Sequence, residues 1–329
     1  MVLVMLTACQ GKKSKTGGFF GASGQPLEMV AVLPDGYDTP ALRDSIRVAF
    51  SYPMQILPQE EALVKVMMTG ESNFTQMFKA MRNVLYITID KEMYTKPSIG
   101  ISRDQFADGQ LLIHARAESL ESIYVLLRQR GAYLAELIHL EEVKRLSVPF
   151  ETTYSSHVAR LAEETFGNWS INVSNNFEYT NTAEDFLWAS DQGQKGRTDF
   201  MLYSYPYTGA ESLTADAIIA ARDSVLKTNV PGQYEGSYMT TEKRVPPVVR
   251  QFELYDLKQI ELRGLWAMVG DMMGGPYVLH AAVDAPNNRV MVAEMSVYNP
   301  GGKKKHLMLY AESQLYGLRP KDVPYAPLP

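Results

Sequence analysis

Apolar positions along this chain follow two periods. Short runs such as Met29-Val30-Ala31-Val32-Leu33 and Leu111-Leu112-Ile113-His114-Ala115-Arg116 mix continuous apolar stretches with alternation, which predicts strands in sheets covered on one face by helices. Residues 120–144 instead place Ile123, Leu126, Leu127, Leu134, Leu137 and Ile138 at helical spacing, which predicts a helix with one buried stripe. After Ser147-Val148-Pro149-Phe150 a second amphipathic helix is expected to Phe166, with Phe150, Tyr154, His157, Val158 and Leu161 on its apolar face. Between strands lie Asp104-Gln105-Phe106-Ala107-Asp108-Gly109 and Asp284-Ala285-Pro286-Asn287-Asn288-Arg289, rich in residues that accept turn conformations.

The pattern repeats. Ala41-Leu42-Arg43-Asp44-Ser45-Ile46 recurs as Ala220-Ala221-Arg222-Asp223-Ser224-Val225, each after a strand-like run ending in proline (Pro34 and Pro206). Arg82 to Asp90 matches Arg263 to Asp271 at nearly the same offset, and paired strands and a final helix follow in both halves. The expected fold is therefore α+β, with two tandem related repeats, each a mostly antiparallel sheet with helices packed on one face. The expected organisation is a signal-peptide remnant (1–9), a flexible tether (10–25), a first repeat (26–147), a linker helix (148–168), a second repeat with an added β segment (169–318) and an extended tail (319–329). If the duplication is real, the halves should superpose with Arg43 over Arg222.

Composition changes this picture at one point. The chain has 329 residues, 46% hydrophobic and 21% charged, which is ordinary globular usage. A net charge of −5 gives no basic face for nucleic acid, and none is expected as a partner. The single cysteine, Cys9, closes Met1-Val2-Leu3-Val4-Met5-Leu6-Thr7-Ala8-Cys9 and can form neither an internal disulfide nor a multi-cysteine metal site. An apolar run ending in Leu-Thr-Ala-Cys resembles the lipobox of bacterial lipoproteins, a resemblance that implies diacylation of the Cys9 thiol and loss of everything before it. Two acyl chains would hold the protein stably at a membrane surface. The polar Gln10-Gly11-Lys12-Lys13-Ser14-Lys15-Thr16-Gly17-Gly18 then reads as the tether. No Lys or Arg precedes the short apolar run, so a start upstream of Met1 is expected.

Catalytic signatures are absent from the pattern. The histidines His114, His139, His157, His280 and His306 lack zinc-ligand spacing; His114 and His280 sit within expected strands and read as packing residues. Gly70-Glu71-Ser72-Asn73-Phe74 lacks the closing glycine of a nucleophile elbow. The doublets Glu60-Glu61, Glu141-Glu142 and Glu163-Glu164 read as solvated faces. Gly301-Gly302-Lys303-Lys304-Lys305 reads as an exposed turn, with anion binding at the following helix as the lesser alternative. No catalytic residue, metal or cofactor is expected. Trp188, Tyr203, Tyr205 and Trp266 are the candidate binding face: an aromatic platform for a glycan, peptide or envelope protein if exposed, and core if a helix covers them.

A lipobox ahead of a duplicated α+β body carrying Ala220-Ala221-Arg222-Asp223-Ser224-Val225 and Pro231-Gly232 resembles an uncharacterised lipoprotein family of Bacteroidetes, a domain of unknown function. The resemblance implies no catalytic residues. It does imply an envelope lipoprotein, and Gln10-Gly11-Lys12-Lys13 departs from the acidic residues associated with export to the cell exterior, which favours the periplasmic face of the outer membrane. The expected function is a membrane-tethered, non-enzymatic binding or assembly module. The alternative is a periplasmic hydrolase with a carboxylate-based site in the cleft between the repeats.

Overall fold

The computed structural model describes residues 21–193, 196–326 and 328; Cys9 and most of the tether lie outside them. The first unit contains β1 (Glu28–Leu33), α1 (Pro40–Ala49), β2 (Lys65–Gly70), the single-turn α2 (Gln76–Lys79), β3 (Asn83–Ile89), β4 (Ser98–Arg103), β5 (Leu111–Ala117) and α3 (Leu120–Ser147). The second unit contains α4 (Ser156–Phe166), β6 (Trp169–Ser170), β7 (Tyr179–Ala183), β8 (Phe186–Ser190), β9 (Arg197–Pro206) and α5 (Ala215–Asn229). It continues through β10 (Tyr238–Thr241), β11 (Val248–Leu254), β12 (Leu257–Val269), β13 (Gly274–Asp284), β14 (Arg289–Tyr298), α6 (Lys305–Leu315) and β15 (Arg319–Pro320). The α+β class and the two-part architecture are what the chain has.

The two sheets are built differently. The first has strand order β2-β1-β3-β5-β4, in which β1 runs parallel to β2 and β3, β3 runs parallel to β5, and only β4 is antiparallel. The second is antiparallel throughout, in the order β10-β12-β13-β14-β9-β8-β7, with β11 also on β12. These orders cannot be superposed, so the halves are not structural repeats. Alternation reports which face of a strand is covered, not the direction of its neighbour, and that is why the two halves read alike. Arg43 forms a surface pair with Asp38, whereas Arg222 is 0% exposed and bonded to Glu294 at 2.7 Å. The recurring triplet therefore marks two amphipathic helices with unrelated surroundings.

The layers stack as first sheet, then α1 and α3, then α6 with α4, then the second sheet, then α5. One apolar core runs through the middle of this stack, from Leu27, Met29 and Ile113 through Ile123 and Leu134 on α3 to Met308 and Leu309 on α6 and Phe200 and Met291 on the second sheet. A second core buries Ile218 and Leu226 of α5 on the outer face of the antiparallel sheet, beneath Leu262, Leu279 and Val292. The expectation of helices on one face thus holds for the first sheet, where only short α2 crosses the other side, and not for the second. The tail is pinned: β15 pairs with β6, and the Tyr325 hydroxyl donates to the Ser147 carbonyl at 2.7 Å.

Helix ends show how the units are joined. Thr39, Ser119, Ser155 and Thr214 cap α1, α3, α4 and α5 with their own hydroxyls. α6 begins at Lys304, whose side chain caps nothing; Glu61 from the first unit accepts from the backbone N–H of Lys304 at 2.7 Å and of Lys305 at 3.2 Å. The Lys305 ammonium donates to the Ala62 carbonyl at 2.7 Å, and Lys304 donates to Gln59 at 2.7 Å. Gly301 to Lys303 thus form the expected surface turn, while Lys304 and Lys305 are buried in the joint, and the anion at the helix N-terminus belongs to the chain itself.

Candidate functional site

The sequence-predicted aromatic residues share one face but assemble as core rather than as an exposed platform. Tyr203 and Trp266 are 0% and 1% exposed, in the core beneath α5. The Tyr205 hydroxyl donates to the Ser212 carbonyl at 2.7 Å, and Trp188, on the same face, packs against this core from β8, its indole N–H donating to Asp199 at 3.1 Å. Trp188 does border a shallow surface hollow with Tyr179, Arg197 and Tyr298, but shares it with none of the other three. A helix covers this part of the face, so the residues serve the core.

Charged chemistry does gather between the units. His139 on α3 lies 2.8 Å from Glu312 on α6, and Glu312 also meets Arg263. Arg263 bonds Glu261 at 2.9 Å, and Glu261 in turn meets His280 at 3.2 Å and Arg250 at 2.7 Å. Burial alone would push the His139 imidazole down; the Glu312 and Glu136 carboxylates outweigh it and push it up to about 9. The Glu312 and Glu261 carboxylates are held below the usual range, against the cost of burial, chiefly by Arg263. Glu261 and Glu312 are 3% and 0% exposed, and each is bracketed by cations. A carboxylate-based hydrolase needs a proton-exchanging group that reaches substrate. Glu261 and Glu312 are closed off from the surface; the chain of charges meets it only at Arg250, which borders a hollow of about 330 Å³ with Glu141 and Tyr316, and the buried members clamp α3, α6 and β12 together.

The Glu141–Glu142 doublet is also internal rather than solvated. Glu142 is fully buried between Arg82 at 2.8 Å and Arg145 at 2.9 Å, and Glu141 pairs with Arg103. Arg145 is a neighbour on the same helix, but Arg82 and Arg103 come from the first sheet, which local spacing on the helix cannot reveal. His157 lies exposed beside Thr180, off the apolar face expected for it, because α4 buries Val158, Ala159, Ala162 and Phe166 instead. Among the described residues no cluster of His, Cys, Asp or Glu has a metal-binding arrangement, and no helix is long and apolar enough to cross a membrane.

The uncovered face of the first sheet is the better candidate. On β3 and β5 one face runs Val84, Tyr86, Thr88 and Leu112, His114, Arg116, with Tyr86 opposite His114 and Thr88 opposite Arg116. Short α2 covers only the start of this face, burying Val84 and Leu112 with Met81 against Phe74, Phe78 and Phe106. Towards the carboxyl ends of the strands the face opens into a cleft of about 430 Å³, lined by Glu71, Phe74, Lys79, Tyr86, Thr88, Tyr94, Gln105, Phe106, His114 and Arg116. Ligands in open parallel sheets bind at this end of the strands.

Its electrostatics are one-sided. The Tyr86 hydroxyl donates to Glu71, and burial, reinforced by that carboxylate, pushes the phenol up to about 12, so it remains a donor. Burial, with Arg116 nearby, pushes the His114 imidazole down and favours its neutral form; Ser102 lies 3.2 Å from its Nε2. The Lys79 ammonium sits 5.9 and 5.7 Å from the centres of the Phe74 and Phe106 rings. Gly100 opposes His114 on β4, and the Arg116 guanidinium passes within 3.4 Å of where a Cβ would stand there. Such a cleft can hydrogen-bond, stack and neutralise a ligand; it also brings the Ser102 hydroxyl to His114, but among the described residues no carboxylate orients the other imidazole nitrogen as a catalytic triad requires.

Of these residues the sequence had named His114 as a packing residue, Glu71 and Phe74 in an incomplete nucleophile elbow, and Gln105 and Phe106 in a turn, none of them as a binding residue. The available signal was subtler: two strands whose shared face turns from apolar to polar at alternate positions. A search of curated proteins finds no match. Residues 22–151 match the model of a domain of unknown function (DUF8532) and residues 156–317 that of a second domain of unknown function (DUF4837), one match falling in the parallel-sheet unit and one in the antiparallel-sheet unit.

Proposed function

We propose that this protein is a non-catalytic binding module, tethered to the periplasmic face of an envelope membrane through acylated Cys9, with the open cleft of the first sheet as its ligand face. The observation that carries the binding reading is the cleft itself: half-exposed Phe74, Tyr86 and Phe106 beside Lys79, His114 and Arg116, on a sheet face that no long helix covers. Pockets of this size, apolar with a few convergent polar groups, are the usual form of small-ligand sites. Support for the tether comes from the sequence of residues 1–18, with its single cysteine and polar spacer.

Fractionation of the full precursor tests both parts. Wild type is expected in the membrane fraction and Cys9→Ala in the soluble fraction; unchanged fractionation rules out the lipid anchor. The soluble Cys9→Ala protein is then expected to cosediment with delipidated cell-wall material, and Phe106→Ala in that background to lose it. Equal cosedimentation of the two, with Phe106→Ala still folded, rules out the cleft.

A further inference from the structure

Resting on the reading of the cleft as a ligand face, we infer that its ligand is an acidic sugar, whose carboxylate or phosphate is held by Lys79 and Arg116. Both cations line the same cleft, and among the described residues neither forms an ion pair. The cleft's own carboxylate, Glu71, is already engaged by the Tyr86 hydroxyl. Elsewhere inward-facing cations are met by acids, as Arg82 by Glu142 and Arg289 by Asp284, or by carbonyl and amide oxygens, as Lys304, Lys305 and Arg319 are; among the described residues the side chains of Lys79 and Arg116 have neither. Two half-buried cations left together beside an occupied carboxylate create a site complementary to an oxyanion.

The rest of the lining describes the body that carries the anion. Phe74 meets Tyr86 and Phe106 edge-on, at 5.9 and 5.7 Å between centres, giving a rigid aromatic wall. Thr88 and Gln105 add neutral hydrogen-bonding groups of the kind that hydroxyls satisfy. A sugar ring offers a C–H face to the wall and hydroxyls to these groups, and its acid reaches the cations. Arg116 suits a planar oxyanion, with two parallel donors, and Lys79 acts as a point charge held in place by the rings.

Titration of the full chain with glucose, glucuronate, glucose 6-phosphate and an acidic dipeptide, followed through the ring resonances of Tyr86 and Phe106, tests this. One or both acidic sugars are expected to bind about tenfold or more tighter than glucose, as one charge-assisted contact provides. Arg116→Gln should erase that preference and Arg116→Lys restore part of it. Glucuronate alone would identify a carboxylate, glucose 6-phosphate alone a phosphate; either supports the inference. Glucose binding as tightly as its acids would overturn the anion assignment, and the dipeptide binding without any sugar would overturn the sugar; both leave the cleft as a ligand face. No response from any of the four would overturn the inference and the cleft together.

Discussion

His139 and Glu312 lie 2.8 Å apart across the boundary between the two units, 173 residues from one another in the chain. The contact makes stability depend on pH. The imidazole titrates near 6.5 when unfolded and is pushed up to about 9 in the fold. Its contribution is therefore complete below about 6.5 and lost as the pH rises through about 9, an effect on the order of 3 kcal/mol. Glu312 and Glu261, held below their ordinary range, act oppositely: their share is present above about 4.5 and lost as the pH falls. Urea midpoints should decline from mildly acidic to alkaline pH in wild type and stay flatter in His139→Gln. Parallel declines would remove His139 as the cause.

Glu61 caps a helix that lies far from it in sequence, so its loss should be felt at the joint. Glu61→Ala leaves two α6 N–H groups without a partner and is expected to cost about 1–2 kcal/mol, read as a lower denaturation midpoint. Glu61→Gln should recover part of this, because its amide oxygen still accepts. An unchanged midpoint in Glu61→Ala would mean that water replaces the cap.

The Arg222–Glu294 pair is fully buried, with the guanidinium stacked 3.9 Å from the Tyr277 ring. Arg222→Met strands a buried carboxylate and should cost about 3–5 kcal/mol, whereas Arg222→Met with Glu294→Leu should restore most of it. Calorimetric melting of the single and double variants separates the two cases. A double variant as unstable as the single would assign the loss to packing against Tyr277.

Gly131 tests a close approach. In an exposed helix Gly→Ala gains about 1 kcal/mol. Here a Cβ would collide with the Ala49 carbonyl, whose carbon and Cα lie 2.9 Å away, because α1 crosses α3 at this residue. Gly131→Ala is expected to destabilise by about 1–3 kcal/mol. A gain in melting temperature would show that the helices can part.

Much of the element pattern was legible in the chain. The stripe of Ile123, Leu127, Leu134 and Ile138 does face the core, and Asn288 at the β13–β14 turn adopts the left-handed conformation that turn residues permit. Strand direction was not legible: Met29 to Leu33 would read the same beside a parallel or an antiparallel neighbour. The same limit hid the buried acids. Glu61 and Glu142 look solvated by spacing, yet half-buried Glu61 is taken up by the distant Lys304 and Lys305 amides and buried Glu142 by Arg82; Glu312 is likewise buried against Arg263 and His139. The cleft was missed because its residues come from three strand and loop segments, and each alone looks like half-covered sheet.

α6 is the last of the described helices to be synthesised, yet it supplies Glu312 to His139, its first amides to Glu61, and Met308 and Leu309 to the shared core. A ribosome-bound chain lacking it has His139 without Glu312 beside an unfilled apolar trench. Such an intermediate gains little from closing early. The polypeptide therefore completes the joint between its two units only once α6 has been made.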